Sequence, residues 1–277
     1  MNTQVDWSNW RRRLINISIV AAVILLLSVS SATSVLADGN NELNESFKFS
    51  VHGDVVAAGV GLRGTGTGII QVDGIPTGAT VERAFLYWAT IGDSTDYEVT
   101  LDEEPVVDEL IGTTGNTCWF NGDYDNFVFR ADVTGLIPNP GNGAYTIDGL
   151  PDDLRNTDND SQGASLVIVY SHPSAELRTI IFNDGAVSLK EDRPSYTHFI
   201  DGFEITDSIN DAHITYIIGD GQEDDGISDY TSGAVLYNGG LIGTDIFDGT
   251  DGAYWDTYTM DVSSLTDESP ANTTVNY

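Results

Sequence analysis

The chain carries 43 acidic residues against 11 basic ones on 277 positions, a net charge of −32, and such a surface repels nucleic acid and anionic lipid headgroups. Its one cysteine, Cys118, excludes a disulfide within these residues and leaves an odd thiol. With 29 glycines and 10% aromatic residues, it has the turn and core material for one large domain or two ordinary ones.

Arg11, Arg12 and Arg13 precede Leu14 to Leu27, an apolar stretch broken only by Asn16 and Ser18. That charge pattern marks an export signal, and Val35 and Ala37 offer the small residues that signal peptidase requires, so residues 1–37 read as a signal peptide. Leu14 to Leu36 also runs 23 residues without a charge, long enough to span a bilayer, so an uncleaved N-terminal anchor is the alternative. The arginine pair further suggests twin-arginine export, with Trp10 standing where that signal prefers Ser or Thr. On every reading the remainder is expected outside the cell or on its surface. It keeps 8 basic and 42 acidic residues, a net charge of −34; solubility, a high-salt habitat and divalent-cation capture each account for that acidity.

Residues 38–46 read as a polar linker. Beyond it no stretch of ten residues places apolar side chains at helical spacing. Short runs rich in β-branched and aromatic residues recur instead: Ala84–Ala89, Phe127–Phe129, Tyr145–Ile147, Ala164–Tyr170, Thr179–Phe182, His213–Ile218 and Ala234–Tyr237. These predict strands. Ala84–Ala89 and Ala164–Tyr170 are apolar on both faces and so predict central strands of a sandwich, while Tyr237 to Leu241 reads as a hairpin.

An internal repeat sharpens the all-β reading. Ala84 to Asp93 lies over His213 to Gln222, with Tyr87 on Tyr216, and Phe129 to Leu136 lies over Tyr258 to Leu265, with Asp132 on Asp261. Both matches have an offset of 129 residues, which predicts two tandem, related antiparallel β-sandwich domains of jelly-roll-like type over 47–173 and 174–277. At that offset Tyr145–Ile147 maps to Thr274–Asn276, and the core strand Ala164–Tyr170 maps to 293–299, past Tyr277. The second domain is therefore expected to lack its closing strand. Either the sequence is truncated after Tyr277 or another chain supplies the strand by exchange, because a sandwich without a central strand exposes unpaired backbone and an apolar slot.

Several segments together resemble a known family. These are Gly74 to Val81 leading into Ala84 to Trp88, Asn116-Thr117-Cys118-Trp119, Arg130 to Thr134, Gly163 to Tyr170, and Asp251-Gly252 with Trp255-Asp256-Thr257. From about Phe49 onward the chain resembles the exported domain of unknown function 3344. The resemblance implies a module of large archaeal or bacterial envelope proteins, followed by a further strand with a second Cys. It implies no activity, ligand or catalytic residue.

Gly59-Val60-Gly61-Leu62-Arg63-Gly64 spells a dinucleotide fingerprint, but Thr65 to Ile70 is too rich in Gly and β-branched residues to open the helix such a site needs. The segment reads as a Gly-rich strand or bulge. Calcium is the cation that flexible acidic loops favour. Asp158 and Asp160 imitate the first half of a helix-loop-helix calcium site, although its twelfth position falls on Val169. Asp220, Glu223, Asp224 and Asp225 form the densest acidic loop; Asp123 with Asp125, and Asp245 with Asp248 and Asp251, are others. The expectation is a structural calcium at Asp220–Asp225 or Asp158–Asp160, against solvated loops.

No Gly-x-Ser-x-Gly or His-Glu-x-x-His occurs, and His52, His172, His198 and His213 have no paired spacing, so a secreted hydrolase is the weakest reading. Tyr87 and Trp88 read as core, whereas Trp119 and Trp255, flanked by Gly, Asn and Asp, read as stacking platforms for glycans. Asn44, Asn159 and Asn272 stand in glycosylation sequons. The sequence thus predicts an exported, non-catalytic structural or adhesive protein without a cofactor other than calcium, with a glycan-binding module as the alternative. Its expected partners are other envelope proteins or surface glycans.

Overall fold

A computed structural model describes residues 41–115, 124–153, 158–190, 193–205, 211–221, 233–267 and 269–276. Each apolar run singled out above lies in a strand, and no α-helix occurs among the described residues. The first half contributes β1 (Asn41–Gly61), β2 (Gly68–Val72), β3 (Thr80–Gly92), β4 (Thr100–Leu101), β5 (Glu104–Pro105), β6 (Asp108–Thr114), β7 (Asp125–Asp132), β8 (Gly143–Asp148), β9 (Asp152–Asp153) and β10 (Asn159–Ser171). The second contributes β11 (Leu177–Ala186), β12 (Ser195–Ile200), β13 (His213–Gly219), β14 (Ala234–Tyr237), β15 (Gly240–Thr244), β16 (Trp255–Asp261) and β17 (Ala271–Asn276). The expected signal peptide over residues 1–37 lies outside the described residues. Among those described, no helix is long and apolar enough to cross a membrane.

The largest sheet has the order β11-β1-β10-β3-β7-β6, with β9 also paired to β10. β1 serves two partners: its first half pairs antiparallel with β11, and Gly53 to Gly61 pair with Ser171 to Gly163 of β10. Successive strand residues point to opposite faces, which explains why Ala84–Ala89 is apolar throughout. Leu86 and Trp88 enter a core shared with Leu166, Ile168, Ile70 and Ile147, beneath the sheet β2-β8-β4-β5. Phe85 and Tyr87 enter the opposite core with Val167, Phe47, Phe182 and Ile217 of β13. On its other face the β13-β16 pair directs Ile214, Tyr216 and Tyr258 against Val235, Phe247 and Val275, beneath the sheet β12-β17-β14-β15.

The repeat is visible in this order. β2-β8-β4-β5 recurs as β12-β17-β14-β15, and β3-β7 recurs as β13-β16. The turns match atom for atom. The Asp132 carboxylate accepts the Thr134 N–H (2.9 Å) and hydroxyl (2.6 Å), and Asp261 does the same with Ser263 (2.8 and 2.5 Å). Those hydroxyls accept the N–H of Ala84 and of Ala212, both at 2.9 Å. Asp132 therefore matches Asp261 at the expected offset of 129, but Ala84 matches Ala212 at 128. Strand register agrees: Phe85 opposes Asp132, while His213 opposes Asp261. Tyr216 is thus the counterpart of Trp88 and not of Tyr87, and each contacts a second aromatic ring at 5.5 Å, Phe129 for Trp88 and Phe247 for Tyr216.

The chain crosses the expected boundary at residues 173/174 without leaving the large sheet. β11, beyond that boundary, is hydrogen-bonded into the first large sheet, and Ala37–Tyr277 forms one compact unit.

Candidate functional site

Where the end of β1 meets the second copy, polar groups collect around Arg63. Gly61 donates its N–H to the Asp251 carbonyl (2.8 Å) and Leu62 donates to the Gln162 carbonyl (3.0 Å), so the chain leaves β1 as a turn. Of the segment read as a Gly-rich strand or bulge, Gly59 to Gly61 end β1 while Leu62 to Gly64 lie in the turn, and the strand glycines have a packing cause. A Cβ on Gly59 would stand 2.2 Å from the Thr257 hydroxyl, and one on Gly61 would stand 2.5 Å from the Gly252 backbone. Only backbone without side chains admits this approach.

Arg63 itself donates to Asp220 (3.0 Å) and Gln162 (3.4 Å) and lies 4.1 Å from the centre of the Tyr254 ring. Asp160 accepts the N–H groups of Gly64 and Ser161, each at 2.9 Å. Its carboxyl is pushed above the ordinary carboxylate range by burial, against the pull of those N–H groups and of Arg63. The two loops expected to hold calcium therefore do converge, through Asp160 and Asp220, but on a guanidinium that already supplies the positive charge. Asp158 turns elsewhere, accepting the Tyr124 hydroxyl at 2.5 Å. Among the described residues no three His, Cys, Asp or Glu side chains form a metal-ligating group. Glu223, Asp224 and Asp225 lie outside the described residues, as do Trp119 and Cys118.

Trp255 is placed against expectation. It is 2% exposed and cannot offer a stacking face. A Cβ on Gly163 would stand 2.3 Å from its ring. The indole N–H donates to the Ser165 hydroxyl at 2.9 Å, and that hydroxyl meets the Thr257 hydroxyl at 2.6 Å. The glycine and serine at the start of the apolar part of β10, Gly163–Tyr170, thus form the seat for a tryptophan of the second copy. Asp251 closes the junction by accepting the Thr257 N–H (2.6 Å), and burial raises its carboxyl above the usual range. Asp256, fully buried, accepts the Gly249 N–H (3.0 Å), the Thr250 N–H (2.9 Å) and the Thr250 hydroxyl (3.1 Å).

The sequons separate. Asn44 is exposed on β1. Asn159 is buried: its side-chain oxygen accepts the N–H groups of Asp93 and Ser94 (3.1 Å each) and its amide donates to Asp93 (3.0 Å), which removes it as an acceptor in the folded chain. Asn272 is half-buried in β17 and donates to the Asn238 side chain at 3.3 Å. A hollow of about 320 Å³ beside Asn44 is lined by Tyr196, His198 and the exposed ring of Phe199.

Sequence reasoning missed one cluster altogether. Arg130 pairs with Asp184 and Glu109 and lies 4.6 Å from the Phe47 ring centre, while Tyr87 donates to Asp184 at 3.0 Å. Burial, and next the Asp184 charge, raise the Tyr87 phenol far above its usual range. The cluster ties β3, β6, β7 and β11 on the inner face of the large sheet. Its one trace in the sequence is an arginine directly after the apolar run Phe127–Phe129.

A family model described as a protein of unknown function (DUF3344) matches residues 38–277. The chain belongs to the DUF3344 family. No curated protein and no solved structure matches it. The family segments noted above fall largely on the repeat and its junction: Arg130–Thr134 builds the first Asp-capped turn, and Gly163–Tyr170 with Trp255–Thr257 fastens the two copies.

Proposed function

We propose that this DUF3344 protein is an exported cell-surface or envelope protein with a structural or adhesive, non-catalytic role. The junction carries this reading. The two sandwich copies are locked together by a buried Trp255–Ser165–Thr257 chain and an ion pair between Arg63 and Asp220, with Asp160, Asp251 and Asp256 engaged by backbone N–H groups. The side chains that could do chemistry there serve rigidity, as a module that resists tension or presents a surface requires. The leader and the acidic surface support an outward location.

Protease treatment of intact native cells tests this. Loss of the protein from whole cells supports the proposal, and full protection until lysis, with the leader still attached, refutes it. Calcium stiffening of the loop from Asp220 to Asp225 belongs to the same reading. A melting temperature identical in calcium and in chelator removes that element.

A further inference from the structure

The hollow of about 320 Å³ beside Asn44 shares no lining residue with the junction. Its walls come from three strands: Glu42 and Glu45 of β1, Asn183 of β11, and Tyr196 to Phe199 of β12, with Asp201 just beyond. Leu43 donates its N–H to the Tyr196 hydroxyl at 3.1 Å, which ties the β1 wall to the β12 wall. Small-molecule sites begin at about 300 Å³, so the hollow has room for a small ring and its substituents. The lining then narrows the ligand. Three carboxylates, Glu42, Glu45 and Asp201, repel an anion. The cations beside them are engaged: Lys48 pairs with Glu45 at 3.3 Å, and the Arg193 guanidinium lies 5.4 Å from the centre of the Tyr196 ring. His198 stacks on Tyr196 with centres 6.3 Å apart, and burial holds its imidazole below the usual 6.5. Tyr196 is therefore claimed by neighbours of its own, and the ring left for a ligand is Phe199, which is 64% exposed. A cationic ligand would have mainly exposed carboxylates to hold it, and exposed ion pairs are weak. A neutral polyol uses everything present. Its hydroxyls donate charge-assisted hydrogen bonds to carboxylates, and its C–H face covers an aromatic ring.

We propose that this hollow is a binding site for a neutral pyranose at the end of a separate glycan. The C–H face of the sugar packs on Phe199, its hydroxyls donate to Glu42 and Asp201, and the Asn183 amide takes a further hydroxyl. The inference goes beyond a structural role, because it gives this face a ligand, and it is independent of where the protein resides.

The test puts the full chain, produced without N-glycans, on an array of oligosaccharides ending in glucose, galactose, mannose, N-acetylglucosamine or glucuronic acid. Saturable binding is expected to at least one of the neutral ends, and none to glucuronic acid. In calorimetry with the best-bound oligosaccharide, Phe199→Ala and Asp201→Asn should each weaken binding roughly tenfold or more, the loss of one ring contact or one charge-assisted hydrogen bond. Both should keep the parent's melting temperature, because both side chains are exposed. Absence of binding across the array overturns the proposal. So does binding unchanged in Phe199→Ala, and so does glucuronic acid held as tightly as the neutral sugars.

Discussion

Trp255 offers the sharpest test of the architecture, because the sequence suggested a surface platform and the fold makes it a rivet. Trp255→Ala removes a side chain 2% exposed and packed on Gly163. It leaves a cavity between the copies and should cost about 3–5 kcal/mol. For a body of this size that corresponds to a fall in melting temperature of about 6–20 °C. Part of the loss is the hydrogen bond from the indole N–H to Ser165 at 2.9 Å. Trp255→Phe and Ser165→Ala should therefore couple in a double-mutant cycle by about 1 kcal/mol. Calorimetry and chemical denaturation of the three variants measure these quantities. Unchanged melting of Trp255→Ala, with loss of binding to a sugar, would refute the junction and restore the platform.

Arg63→Met should destabilise by about 1–3 kcal/mol in urea titration, since Asp220 and the buried Asp160 lose their countercharge. It should also melt with a larger calcium-induced rise than the parent. Arg130→Met strands Asp184, which is 9% exposed, and should cost about 3–5 kcal/mol; adding Asp184→Leu should recover part of that loss, because the uncompensated buried charge is then gone. Burial and nearby Asp256 raise the Asp251 carboxyl above its ordinary 3.8. A raised folded-state value makes the contribution complete below 3.8 and lost as pH rises through the folded value. Asp251→Asn should accordingly be more stable than the parent at neutral pH, with the difference closing on acidification toward 3.8; a difference that widens instead refutes the assignment. Tyr216→Phe should lose about 1 kcal/mol and couple to Thr273→Val through the 2.5 Å hydroxyl contact, and ultraviolet titration should place the parent phenol at about 12, where burial pushes it.

The strand set was readable because period-two burial writes itself into composition. Ala84–Ala89 and Ala164–Tyr170 must be apolar at every position when both faces are covered, and they form the central pair of the largest sheet. All of β1 before Gly59 escaped notice for the opposite reason. Its first half, from Asn41 to His52, alternates half-buried Phe47, Phe49 and Val51 with exposed polar neighbours, and its second half mixes valines with glycines. Trp255 was misread because the flanking Gly252 and Asp256 looked like loop. Asp256 is in fact fully buried, its charge answered by backbone N–H groups of residues 249 and 250.

The repeat shows why identity is a weak guide to equivalence inside a strand. Aligning Tyr87 with Tyr216 matched two tyrosines and placed Gly92 on Gly221, yet a one-residue slip in a strand sends every side chain to the opposite face. Tyr87 points into the inner core toward Asp184, whereas Tyr216 points into the outer core toward Thr273. The turn after β7 was the sounder anchor, because an Asp followed two positions later by a hydroxyl residue specifies a backbone geometry and not merely a kind of side chain. Pinning both copies on Asp132 and Asp261 and walking back through the hydrogen bonds to Ala84 and Ala212 leaves one fewer residue between strand and turn in the first copy than in the second. Small residues carried the other readable signal. Gly59, Gly61, Gly163 and Ser165, set among valines and leucines, are costly in a strand unless something large approaches, and the residue that approaches Gly163 and Ser165 is Trp255.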